Sequence, residues 1–171
     1  MRKDRDGQKM YRTHQCYGGR NHALTSRQNV GMSRPFGPRL AKGIPRERMF
    51  VDALVFPISV DSRFVVHCLD AFRHLRARYG EGIHLTGGLS NVSFGMPCRK
   101  LINEVFLNLA VEAGADSGIV DPVTSDLNRV FGADKSSRPY RLALEMLLGN
   151  DPGCVNYLEA YREGELEPQP A

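Results

Sequence analysis

The chain has 171 residues, 42% hydrophobic and 25% charged, with a formal net charge of +4. That length and composition describe one globular domain with enough apolar side chains for a sizeable core. No apolar run approaches the roughly 18 residues of a membrane-spanning helix, and no N-terminal apolar segment resembles a secretory signal, so no membrane partner is expected.

The charge is unevenly spread. Residues 1–41 hold nine Lys and Arg against two Asp, while the other 130 residues hold 14 basic against 17 acidic side chains. The basic character thus belongs to the first quarter of the chain. There Tyr11, Tyr17 and Phe36 stand nearly alone, and neither a helical nor a strand period is visible. Residues 1–42 are therefore expected to be a disordered or non-native extension. A phosphate-binding basic arm is the functional alternative, but nucleic acid is not the expected partner. His14 and Cys16 without further ligands do not make a metal site. The four cysteines, Cys16, Cys68, Cys98 and Cys154, lie 52, 30 and 56 residues apart, which matches neither a CxxC clip nor a disulfide framework. The expectation is a cytoplasmic protein with reduced thiols.

Order begins near Gly43. Val51–Ile58 is a short apolar run that predicts a buried strand. Asp61 or Ser62 can cap a helix running to about Tyr79, with Phe64, Val65, Cys68, Leu69, Phe72 and Leu75 as its buried stripe. Arg73, Arg76 and Arg78 fall outside that stripe and are expected at the surface. Gly80 and Gly82 end the helix. Ile83–Leu89 predicts a second strand and residues 90–97 a loop. Pro97 fits the first turn of a helix from about Cys98 to Ala113, whose stripe is Leu101, Ile102, Val105, Phe106, Leu109 and Ala110. Ser117–Val120 predicts a third short strand, and helical patterns follow at about 124–131, 139–149 and 154–162. Alternating strands and helices indicate a parallel α/β fold.

In such folds function gathers at the carboxyl ends of the strands. Asp52, Asn91 and Asp121 fall there, although each alone would be ordinary turn or capping chemistry. His67 and His74, seven residues apart, are expected at the surface. His84, inside an apolar strand, is expected to be a hydrogen-bonded core histidine.

Together the polar residues carry a resemblance. Residues 88–97, Gly-Leu-Ser-Asn-Val-Ser-Phe-Gly-Met-Pro, resemble the signature loop of the pterin-binding methyltransferases. These include methyltetrahydrofolate:corrinoid/iron–sulfur protein methyltransferase and the folate domain of cobalamin-dependent methionine synthase, which share a fold with dihydropteroate synthase. The continuation Arg99 to Asn103, Phe106-Leu107 and Ala113-Gly114-Ala115-Asp116 fits the same pattern. So do Gly43-Ile44-Pro45, Asp52-Ala53-Leu54-Val55 and the tail Leu147 to Asp151 with Tyr157-Leu158. Ala53 stands where the family usually has Pro. The resemblance covers about residues 43–165 and leaves 166–171 as a tail.

The resemblance implies the C-terminal part, about the last three βα units, of a dihydropteroate synthase-like (β/α)8 barrel. Because such barrels need about 200 residues or more, a truncated barrel is expected. Closure would come from a homodimer or from a second chain. The implied reaction moves the N5-methyl group of methyltetrahydrofolate, or a related pterin, to the cobalt of a corrinoid carried by a partner protein. No protein-bound metal is implied. Asn91 by resemblance reaches N5, where a donor assists departure of the amine. Asp52 by resemblance accepts the pterin's ring NH and amino group. Gly88 is expected to let the ring approach the backbone. Ser90 and Arg99 match positions near the pterin, and Phe94 is assigned to packing or stacking. The alternatives are a dihydropteroate synthase-like enzyme, for which no Lys-x-x-Arg-type ending is present, and a catalytically inactive pterin-binding module.

Overall fold

A computed structural model describes residues 45–121, 123, 125 and 127–166. The expectations for residues 1–42, for Gly43-Ile44 and for the last five residues lie outside the described residues.

The elements follow the expected α/β order. β1 (Phe50–Asp52) leads to α1 (Arg63–Tyr79), then β2 (His84–Thr86) and α2 (Arg99–Glu112). α3 (Leu127–Gly132), α4 (Arg138–Leu147) and α5 (Val155–Arg162) complete the order. β1 and β2 run parallel, with Phe50 opposite His84, Val51 opposite Leu85 and Asp52 opposite Thr86. Residues 116–119 lie along the other side of β2. There the Asp116 and Ser117 amides donate to the Leu85 carbonyl, and the Ile119 amide donates to Gly87 at 2.9 Å.

The strands are shorter than the apolar runs that announced them. The run 51–58 stops being strand at Asp52, because the Asp52 carboxylate accepts the Leu54 amide and Leu54 turns to a φ of +56°. The run 83–89 ends at Thr86, where Gly87 and Gly88 lead into a 3₁₀ turn over Leu89–Ser93. The strand expected at 117–120 reduces to one parallel bridge between Ile119 and Gly88. Its preceding amides both point at a single carbonyl, so no regular ladder forms.

Alternation sorts the sheet into two faces. Val51 and Leu85 are buried, whereas Phe50 is 45% exposed and Ile119 66% exposed. α1 covers the buried side with Val65, Cys68, Leu69, Phe72 and Leu75, as its periodicity predicts, although Phe64 is only half-buried. Fully burying one such large side chain is worth about 1.5–3 kcal/mol. α2 is buried more completely than its stripe implies, continuously from Ile102 to Ala110, because α4 packs on its second side. Its Asn108 amide is satisfied by the Val130 carbonyl at 2.7 Å.

Three local expectations change. Arg76 is not a surface residue. Its side chain is 15% exposed, and it donates to the carbonyls of Gly114, Ile83 and Gly80 while pairing with Asp116 at 3.1 Å. Gly114 has a φ of +105°, and a Cβ there would meet Arg76 at 3.0 Å. Arg73 and Arg78 are exposed as expected. Pro97 does not enter the first turn of α2, because Cys98 adopts left-handed geometry between them (φ 50°, ψ 45°). His84 is hydrogen-bonded but not in the core. It lies on the bare sheet face, stacked on the Phe50 ring at 4.5 Å, with Nδ1 3.1 Å from Asp116 Oδ2.

Candidate functional site

The carboxyl ends of β1 and β2 bring Asp52 and Asn91 to the same end of a parallel pair. Asp52 is the last residue of β1, and Asn91 lies in the 3₁₀ turn that follows β2. Adjacent strands lie about 4.8 Å apart, so the loops that leave their ends start side by side. The loops after the two strands are also tied together. Ile58 donates its amide to the Val92 carbonyl at 2.9 Å, and the Ser59 hydroxyl donates to the Phe94 carbonyl at 2.7 Å.

Asp52 is half-buried, and its Oδ1 accepts the Leu54 amide at 2.8 Å. A carboxylate offers about four acceptor positions. Among the described residues, one is occupied by the Leu54 amide on Oδ1 and Oδ2 accepts no hydrogen bond. The carboxylate therefore retains capacity for a paired donor such as a ring NH beside an amino group.

Asn91 is exposed, and its amide nitrogen lies over Gly88. The turn that presents it is closed by the Asn91 amide donating to the Gly88 carbonyl at 3.0 Å.

Ser90 and Arg99 brace this loop. The Ser90 hydroxyl accepts the Asp121 amide at 2.7 Å, which fastens the loop to the chain leaving the third line of the sheet. Arg99 donates from Nε to the Ser93 hydroxyl at 3.1 Å and from Nη2 to the Ser90 carbonyl at 3.2 Å. Its guanidinium lies 6.0 Å from the centre of the Phe94 ring, which is 65% exposed. Asp121 also stands near this end, where its Oδ1 accepts the Val123 amide at 3.0 Å in turn chemistry.

Sequence reasoning missed a second layer behind Ser90. The buried Ser125 hydroxyl lies 3.5 Å from that of Ser90, and the buried Asn103 amide donates to Ser125 at 3.4 Å. Asn103 carried a visible signal, a carboxamide among the apolar positions of α2. Ser125 carried none.

An open cavity of about 860 Å³ lies elsewhere, among Cys98, Arg99, Lys100, Glu104, Arg138 and Tyr140 near the amino ends of α2 and α4. It shares only Arg99 with the residues above. The sheet-end constellation, with its convergent polar groups, is the better candidate. His67 is half-buried and His74 exposed, and among the described residues no group of three or more His, Cys, Asp or Glu is placed to hold a metal ion. No helix among the described residues is long and apolar enough to cross a membrane.

No protein-family model matches the chain. The methylcorrinoid:tetrahydrofolate methyltransferase of Eubacterium limosum is 34% identical over 122 residues, covering 71% of this chain and 41% of that protein. Methionine synthases of Mycobacterium leprae and Mycobacterium tuberculosis are each 36% identical over 84 residues, covering 46% of this chain and 7% of each relative. The chain thus spans about two fifths of the first of these relatives and a small part of the others. Over the stretch these relatives match, the chain is similar to proteins named for methyl transfer with tetrahydrofolate, corrinoid or methionine, in keeping with the resemblance carried by its Gly88–Pro97 loop.

Proposed function

We propose that the chain forms part of a site where a methyl group passes between N5 of a tetrahydrofolate-type pterin and the cobalt of a corrinoid carried by a separate protein. The observation that carries this reading is the placement of Asp52 and Asn91 at the same end of adjacent parallel strands. The name of the first relative contains both reactants, with the methyl group on the corrinoid. The same N5 chemistry serves either direction, because a reaction and its reverse share one transition state.

The residues supply binding and a polarising hydrogen bond. Asp52 accepts the ring NH and amino group of the pterin on its remaining acceptor positions. Asn91 donates a hydrogen bond to N5, where electron density builds as the carbon–nitrogen bond breaks, and the proton that N5 gains comes from solvent. A donor held in place stabilises the departing amine without reorganising, which is worth about 3–4 kcal/mol at comparable sites. Corrinoid cobalt, brought by its partner protein, supplies the nucleophile in one direction and the methyl group in the other. Ser90 and Arg99 serve the pterin site by fixing the loop, while Gly88 borders it.

The sheet is read as three consecutive βα units of a (β/α)8 barrel within a domain spanning 43–165. The bare face with Phe50, His84 and Ile119 supports this, since it would become the barrel interior. Closure needs further strands against the outer edges of β1 and residue 119. Thiols at Cys68 and Cys154 that form no disulfide among the described residues support a cytoplasmic setting.

The test mixes the protein with methyltetrahydrofolate and cob(I)alamin and follows formation of methylcobalamin by absorbance. The reading predicts transfer above the uncatalysed rate, with Asn91→Ala slowing it by on the order of a hundredfold. Transfer no faster than without protein would overturn the function. Equal rates for the two proteins would overturn the role of Asn91.

A further inference from the structure

Gly88 lacks a side chain at a position where its backbone does not require glycine. Its φ of −77° and ψ of 78° are open to residues that carry a Cβ. What a Cβ would displace is a neighbouring side chain. A Cβ built on Gly88 would lie 2.7 Å from Asn91 Nδ2 and 3.4 Å from Asn91 Cγ, and the three nearest heavy atoms all belong to the Asn91 amide group.

The backbone at this point has little room to retreat. Gly88 forms the parallel bridge to Ile119, flanked by the Leu89 amide donating to the Ile119 carbonyl and the Ile119 amide donating to Gly87, both at 2.9 Å. The Gly88 carbonyl is held by the Asn91 amide at 3.0 Å. Asn91, by contrast, is exposed, and its side chain can rotate. An added methyl group would therefore move the Asn91 amide and leave the strand end in place.

We infer that Gly88 is a positioning residue whose missing side chain seats the Asn91 amide against the carboxyl end of β2. This deepens the proposed function and rests on the reading of Asn91 as the donor to N5. Gly88 acts through Asn91 and supplies no chemistry of its own.

The decisive variant is Gly88→Ala, read in two ways on the full chain. In the first, the side-chain amide signals of Asn91 are followed by NMR, identified by their loss in Asn91→Ala. They should shift in Gly88→Ala and hold still in Gly132→Ala, since a Cβ at Gly132 meets nothing within 4 Å. Unmoved Asn91 signals in Gly88→Ala would overturn the inference.

In the second, methyl transfer from saturating methyltetrahydrofolate to cob(I)alamin is measured. Gly88→Ala should lower the rate by about tenfold or more, a larger change than in the KM for the pterin, since the hydrogen bonds of Asp52 are untouched. In an Asn91→Ala background the same change should add no further loss. Independent, multiplying losses would overturn the inference. A wild-type chain that transfers no methyl would sink the proposed function, and the NMR comparison would still decide the role of Gly88. Should Gly88→Ala fail to fold, adding Asn91→Ala should restore folding, and failure to do so would also overturn the inference.

Discussion

The Asp52 carboxylate accepts the backbone amide of Leu54 at 2.8 Å, and Leu54 holds a φ of +56°. The side chain assigned to the pterin thus also forms the turn that ends β1. The two roles separate by substitution. Asp52→Asn keeps an oxygen for the Leu54 amide and should leave the melting temperature nearly unchanged. Asp52→Ala removes that acceptor beside a strained residue and should cost about 1–2 kcal/mol. Thermal denaturation of the two variants checks the difference.

Arg76 joins α1 to the segment that enters β2 and the segment that leaves α2. One guanidinium satisfies the carbonyls of Gly80, Ile83 and Gly114 and pairs with Asp116, whose Oδ1 in turn accepts the Leu85 amide at 3.0 Å. Arg76→Ala should destabilise the chain by about 2–3 kcal/mol, since it strands several polar groups in a half-buried place. Arg78→Ala, at an exposed position on the same helix, should change stability by less than about 0.5 kcal/mol. Urea denaturation midpoints compare them.

Stability should fall at alkaline pH. Burial, with a smaller contribution from the Asp52 charge, pushes the Cys68 thiol from 9.0 up to about 12. A raised folded-state value means that its contribution is complete below about pH 9 and is lost as pH rises toward about 12. Burial also raises the Cys154 thiol and the Tyr157 hydroxyl. Cys68→Ala should flatten part of the decline in a series of denaturation midpoints across that range. At acid pH the sign reverses for Asp61. Hydrogen bonds from Arg63 lower its carboxyl from 3.8 to about 2, so its support for the start of α1 is present above 3.8 and fades toward 2. Because that pair is exposed, the acid effect should be small and should shrink with added salt.

Much of this was legible in the sequence, for physical reasons. The stripe from Val65 to Leu75 has a helical period and a glycine stop, and α1 runs from Arg63 to Tyr79 beneath it. Asn91 was visible because the second apolar run gives way to a polar loop at the end where a parallel sheet collects its sites, and Asp52, inside an apolar run, stood out only through the resemblance of its motif. Strand length was not legible. The run Val51–Ile58 stays apolar past Asp52 because Val55 and Ile58 are buried in irregular structure. Arg76 read as surface because its partners are carbonyls 38 residues away at Gly114 and nearby at Gly80, which no side-chain pattern records. His84 read as core because a three-residue strand with one bare face has the same apolar neighbours as one covered on both. The contact between Gly88 and Asn91 depends on a rotamer, and spacing alone does not encode it.

The most direct measurement is a calorimetric titration of the full chain with methyltetrahydrofolate, repeated with Asp52→Asn and Asn91→Ala. A pterin site at the ends of β1 and β2 predicts saturable binding in roughly the micromolar range, about −8 kcal/mol. Asp52→Asn should weaken it most and Asn91→Ala only slightly. Absence of binding up to about millimolar ligand, near −4 kcal/mol, or binding indifferent to Asp52, would contradict it.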